Sequence, residues 1–164
     1  MKKTIWITGA GSGIGEAITR TYAENGNLLI ISGRNQEPLE KLKEDLKNSD
    51  CQVQPIVLDV SNEDEIQKVV NKVLSDHGHV DTLINNAGIS QRSLIQDTNN
   101  EVGRKIMEVN FFGTVHLTKA LLPSMLERNS GSIVVISSGK YYIKINDRQL
   151  LQQVKSAFSG HFNV

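Results

Sequence analysis

A single cysteine, Cys51, in 164 residues excludes an internal disulfide, suits a reducing compartment and sits where a third strand is expected to begin. Neither sign of charge dominates, because 18 Lys and Arg stand against 18 Asp and Glu. With no basic stripe, the electrostatic footprint of a nucleic-acid binder is missing and no such partner is expected. No apolar run approaches the length needed to span a bilayer. Gly9, Gly11 and Gly13 interrupt the apolar residues after Met1-Lys2-Lys3 before a secretory leader could form. A soluble, cytoplasmic protein without a membrane partner is therefore expected. Repeats, low-complexity tracts and linkers are lacking too, which makes residues 1–164 one domain, large enough to bury a core without metal or disulfides. His77 and His79 are close, but no cysteine or third ligand accompanies them, and Gly78 between them fits a helix C-terminal cap. No metal site is expected.

What the chain does contain is an alternation of short apolar runs with helical periodicity, the pattern of a parallel sheet covered by helices on both faces. The spacing predicts strands near 3–8, 28–32, 53–58, 81–85 and 131–137. Helices are predicted near 14–25, 36–48, 62–77 and 98–128, the last starting from an Asp97 or Thr98 cap.

The first strand runs into Thr8-Gly9-Ala10-Gly11-Ser12-Gly13-Ile14-Gly15, and a helical pattern with Ala17, Ile18, Tyr22 and Ala23 comes directly after it. Glycines there let the backbone turn tightly and approach a pyrophosphate, while free N–H groups at the helix start face the anion. The second strand ends Ile31-Ser32-Gly33-Arg34. An acidic residue at this point would accept hydrogen bonds from a ribose 2′-hydroxyl, whereas Arg34 offers a planar cation suited to a 2′-phosphate. NADP(H) is the preferred cofactor on this reading, with NAD(H) the alternative.

The loop spells T-G-x-x-x-G-x-G, and together with five later segments it resembles the short-chain dehydrogenase/reductase family over residues 4–160. The resemblance implies a Rossmann-type doubly wound α/β sheet of strand order 3-2-1-4-5, here missing the family's last strands. It places Gly9, Ser12, Gly13, Ile14 and Gly15 at the cofactor phosphates, and Asp59 and Val60, closing the third strand, at the adenine. Asn85-Asn86-Ala87-Gly88 is similar to the family's N-N-A-G motif, so that Asn86, Ala87 and Gly88 support the sheet and the cofactor. Asn110 matches the helix asparagine that helps hold a water in the family's proton relay. Ser138, after Ser132-Ile133-Val134-Val135-Ile136-Ser137, matches the catalytic serine that binds the substrate oxygen.

The family pattern next demands Y-x-x-x-K, in which a tyrosine protonates the oxygen as hydride arrives at carbon and the lysine ammonium favours phenolate. This chain has the lysine without the tyrosine. Lys155 begins Lys155-Ser156-Ala157-Phe158-Ser159-Gly160, a run similar to the one that the family lysine begins, and would hold the nicotinamide ribose. Four positions earlier stands Leu151, which keeps the family's 13-residue separation from Ser138 (151 − 138). Tyr141 and Tyr142 have Ile145 and Asn146 four residues on, so neither rebuilds the pair. The implied reaction is hydride transfer between nicotinamide and a small carbonyl or secondary alcohol, impaired by the missing acid. The rival is an inactive, truncated family member that binds nucleotide or pairs with a longer relative. The fifth strand, as an edge without the family's later strands, implies a homo-oligomer.

Overall fold

The computed structural model describes residues 2–90 and 98–137. Within these residues five parallel strands form one sheet: β1 (Thr4–Thr8), β2 (Leu28–Gly33), β3 (Gln52–Val57), β4 (Thr82–Asn85) and β5 (Ser132–Val135), in the order β3-β2-β1-β4-β5. The expected order is confirmed. The helices between them are α1 (Gly13–Tyr22), α2 (Gln36–Asp45), α3 (Glu63–His77), α4 (Asn100–Met107) and α5 (Gly113–Glu127).

Central β1 is buried along its whole length, as a strand covered on both faces must be. Its alternation sorts the core into two layers. Ile5 and Ile7 join Leu29, Ile31 and Ile84 against Leu39 and Leu42 of α2, with Ile18 and Tyr22 of α1 packed alongside. Trp6 points the other way, with Ile30, Leu83 and Ile133, against Ile66, Val70 and Val73 of α3 and Leu117, Leu121 and Met125 of α5. The Trp6 indole is polar at one point only, and its Nε1 donates to Ser32 Oγ at 2.9 Å. Pro55, which has no N–H to give a ladder, lies in β3, whose only partner strand among the described residues is β2.

The long helix expected over 98–128 is interrupted. Its N-cap is Asn99, one residue past the expected Thr98, and the Asn99 side chain accepts from Glu101 N at 2.9 Å; Asp97, the other expected cap, lies outside the described residues. Between α4 and α5 the backbone widens to a π-turn over Glu108–Phe112. Asn110 lies in that turn, and its amide pairs with one distant peptide: Ile89 N donates to Oδ1 at 2.8 Å and Nδ2 donates to Ile89 O at 2.9 Å. A bulge of this kind re-aims the residues it contains. Here it ties the helix to the strand-end segment after β4.

Candidate functional site

All five strands run the same way, so the loops that leave their carboxyl ends meet at one rim of the sheet, where β1 and β4 diverge into opposite crossovers. At that rim Thr8 closes β1 and its hydroxyl is fully engaged. Oγ1 accepts from Asn86 N and from Ala87 N, both at 2.9 Å, and lies 3.5 Å from the Ile84 carbonyl to which it donates. Asn86 answers with its side chain, donating from Nδ2 to the carbonyls of Thr8 at 3.0 Å and Gly9 at 3.2 Å. The glycine loop is thus clamped from β4, and Ala10 N pins it to the Ser32 carbonyl of β2 at 3.0 Å.

The glycines serve different ends. A Cβ on Gly15 would lie 2.3 Å from the Gly9 carbonyl oxygen and 2.5 Å from Asn86 Nδ2, so helix α1 can start this close only without one. Gly13 has nothing near its missing Cβ, but its φ of +57° lies in the left-handed region that favours glycine. The loop delivers the chain into α1 through Ser12, which is extended and makes no side-chain cap bond. The first N–H groups of α1 therefore have neither an intrahelical partner nor a capping side chain, at the positive end of the helix dipole. Beside them Ile14 is 62% exposed, an unusual position for an isoleucine and one that offers an apolar contact.

Arg34 comes just after β2 and is exposed. Across from it, Asp59 lies just past the end of β3. Burial pushes the Asp59 carboxyl up, but hydrogen bonds from Ser61 N and Oγ, with the charges of Lys105 and Arg34, outweigh this and hold it below the ordinary value. Val60 is buried, and its carbonyl lies 2.7 Å from where a Cβ on Gly113 would stand, so α5 begins hard against this loop. Gly88 is exposed and sits beside Asn110, with 3.5 Å from its absent Cβ to Oδ1.

The structure thus gathers Gly9, Ser12, Gly13, Ile14, Gly15, Arg34, Asp59, Val60, Asn86, Ala87, Gly88 and Asn110 on one rim. Ser138, Leu151 and Lys155 lie outside the described residues, as do Tyr141 and Tyr142. Sequence reasoning passed over Thr8, Ser61, Lys105 and Gly113. The threonine is visible as the first letter of the loop motif, whereas the other three act through contacts with no local signal.

Residues 3–146 match the family model described as short chain dehydrogenase. The chain belongs to that family. It is 41% identical to zebrafish (Danio rerio) dehydrogenase/reductase SDR family member 7B, over 98% of this chain and 54% of that protein. Human dehydrogenase/reductase SDR family member 7 is also 41% identical, over 97% of this chain and 48% of its own length. The chain therefore spans about half the length of these curated relatives. Among solved structures, an alcohol dehydrogenase from Thermococcus sibiricus, complexed with 5-hydroxy-NADP, superposes with a TM-score of 0.77 and 33% identity, covering 82% of this chain and 57% of that one. The short-chain dehydrogenase family is one of oxidoreductases, and its fold is the frame that brings these strand ends together on one rim. Among the described residues, no helix is long and apolar enough to cross a membrane, and no three potential metal ligands come together.

Proposed function

We propose that this chain binds NADP(H) at the carboxyl rim of its sheet and serves hydride transfer between the nicotinamide and a small carbonyl or secondary alcohol, with impaired chemistry. The observation that carries the reading is the clamped loop: Thr8 and Asn86 fix a glycine turn that leaves the amides of the α1 N-terminus without a capping side chain among the described residues, a cradle that fits an anionic pyrophosphate. The complex of the Thermococcus alcohol dehydrogenase with an NADP derivative supports the same cofactor class.

In this reading Gly9, Ser12, Gly13, Ile14 and Gly15 hold the phosphates, Asp59 and Val60 receive the base, and Arg34 pairs with the 2′-phosphate. A bound nicotinamide supplies or accepts the hydride. Ser138 orients the substrate oxygen and Lys155 holds the nicotinamide ribose. Asn110 spends its side chain on Ile89, which leaves its backbone for any role in positioning water. No phenol stands at position 151, and loss of a positioned general acid typically costs about 10²- to 10⁴-fold in rate. Leu151 is also the observation that favours a second reading, a nucleotide-binding or relative-pairing protein without turnover. Among the described residues β5 is an edge strand, and with the exposed Met107, Phe112 and Leu126 of the α4–α5 region it supports association with a second copy under either reading.

NADPH oxidation measured across a panel of aldehydes and ketones, before and after Leu151→Tyr, separates the two. Weak turnover that rises about 10²-fold or more on the substitution supports the enzyme. NADPH binding with no turnover from either chain supports the binding protein.

A further inference from the structure

Three polar groups on two separate segments form a chain at the end of β3. Lys105 Nζ, from α4, donates to Ser61 Oγ at 2.9 Å, and that hydroxyl donates to Asp59 Oδ1 at 2.7 Å. Ser61 N gives the same carboxylate oxygen a second bond at 2.9 Å. Oδ1 is therefore doubly engaged, while among the described residues nothing hydrogen-bonds Oδ2. The hydroxyl has a single proton, and the ammonium occupying its lone pair directs that proton to Asp59. The lysine meets the carboxylate only through the serine. Such an interposition is unexpected, since a flexible ammonium this near a carboxylate would ordinarily close on it directly.

We propose that Ser61 is a positioning residue for base recognition, a spacer that keeps Lys105 off Asp59 so that the second carboxylate oxygen stays open to the amino group of an adenine-type base. The inference rests on the NADP(H) reading of the rim. An ionised carboxylate with one free oxygen accepts an N–H and repels a carbonyl oxygen, so it selects an amino-bearing base over its keto counterpart. Remove the spacer, and Lys105 falls onto Asp59. The free oxygen is then capped by a cation that also welcomes a keto oxygen, and the preference collapses. Removing the lysine as well clears the oxygen again.

The test is a fluorescence titration of the full chain with NADPH and with its hypoxanthine counterpart, in which a keto oxygen replaces the adenine amino group. The unmodified protein should prefer NADPH by about tenfold, the scale of one hydrogen bond to a charged acceptor. Ser61→Ala should reduce the preference to about twofold, Lys105→Met should leave it near tenfold, and the double variant should recover most of it. Ser61 and Lys105 contribute nothing to either hydrophobic layer, and circular dichroism of each variant should match the parent. An unchanged preference in Ser61→Ala, or a double variant no better than Ser61→Ala, overturns the spacer while leaving the cofactor reading intact. Equal binding of both dinucleotides by the parent does the same. A parent that binds neither overturns the proposed function itself.

Discussion

At the amino ends of the strands the Asp81 carboxylate accepts from Thr4 N at 2.9 Å and from Arg128 Nη2 at 2.8 Å, while its own backbone receives Ser132 and donates to Thr4. One residue thus joins β1, β5 and the end of α5, and both of its carboxylate oxygens are satisfied. At the carboxyl ends Thr8 and Asn86 use bonds of the same kind and similar length, but they close on a loop whose next residues lead into a helix with unpaired amides. The two rims differ less in what holds them than in what they leave over. A rim that satisfies its own polar groups contributes stability alone, and one that fixes a backbone while leaving donors unpaired is prepared for a ligand.

The comparison can be strained at several points. Gly15→Ala should have the largest effect, because the new methyl meets the Gly9 carbonyl oxygen at 2.3 Å and α1 must shift away from the loop. We expect NADPH binding to disappear, with a stability loss of about 3 kcal/mol by urea denaturation. Gly13→Ala, in open space, should cost only about 1 kcal/mol of backbone strain. A Gly15→Ala chain no less stable than Gly13→Ala would mean that the close approach is not what demands glycine. Thr8→Val comes next: the shape is kept, but two backbone N–H groups lose their acceptor, for about 2 kcal/mol and a weakened cofactor site. Asp81→Asn should be mildest, about 1 kcal/mol at neutral pH, and should leave NADPH affinity unchanged.

That last variant also carries a pH signature. Burial pushes the Asp81 carboxyl up, but the Thr4 and Arg128 hydrogen bonds and the nearby cations outweigh it and set it below the ordinary value. A carboxyl depressed in the folded state stabilises above its unfolded pKa of about 4, and the contribution fades as pH falls through the lower folded value. The stability gap between the parent and Asp81→Asn should therefore stay level down to about pH 4 and narrow below it. A gap that widens in acid would show that the carboxylate does not hold this rim.

Much of the rim is legible in the sequence because its parts are local. The glycine loop, Arg34, Asp59 and the Asn85–Gly88 segment each lie at the end of a strand whose apolar run announces it, and parallel strands bring such ends together. Strand limits come within a residue or two for the same reason, as with β5, expected at 131–137 and found at Ser132–Val135. The helix before β5 reads as continuous because its apolar spacing survives the π-turn. Within that turn Asn110 pairs with Ile89, 21 residues away, a contact that no periodicity reports. The start of the helix is displaced from the expected one because Asp97, Thr98 and Asn99 are all competent cap residues in sequence, and Asn99 is the N-cap, its side chain accepting from Glu101 N. The Thr8–Asn86 clamp spans 78 residues, and the link from Lys105 to Ser61 spans 44. Such contacts belong to the folded topology and to nothing shorter.

The central claim is that the carboxyl rim holds a 2′-phosphorylated nicotinamide dinucleotide. Trp6 is the only tryptophan, it is fully buried, and its indole is bonded to Ser32, two residues before Arg34, so its emission, corrected for absorption by the dinucleotide, reports on this rim. Titration of that emission with NADPH and NADH, for the parent chain and for Arg34→Asp, tests the claim most directly. The account predicts saturable binding with NADPH the tighter ligand, and reversal of the order in Arg34→Asp. Equal affinity of the parent for the two dinucleotides would contradict the role of Arg34, and the absence of saturable binding would contradict the site.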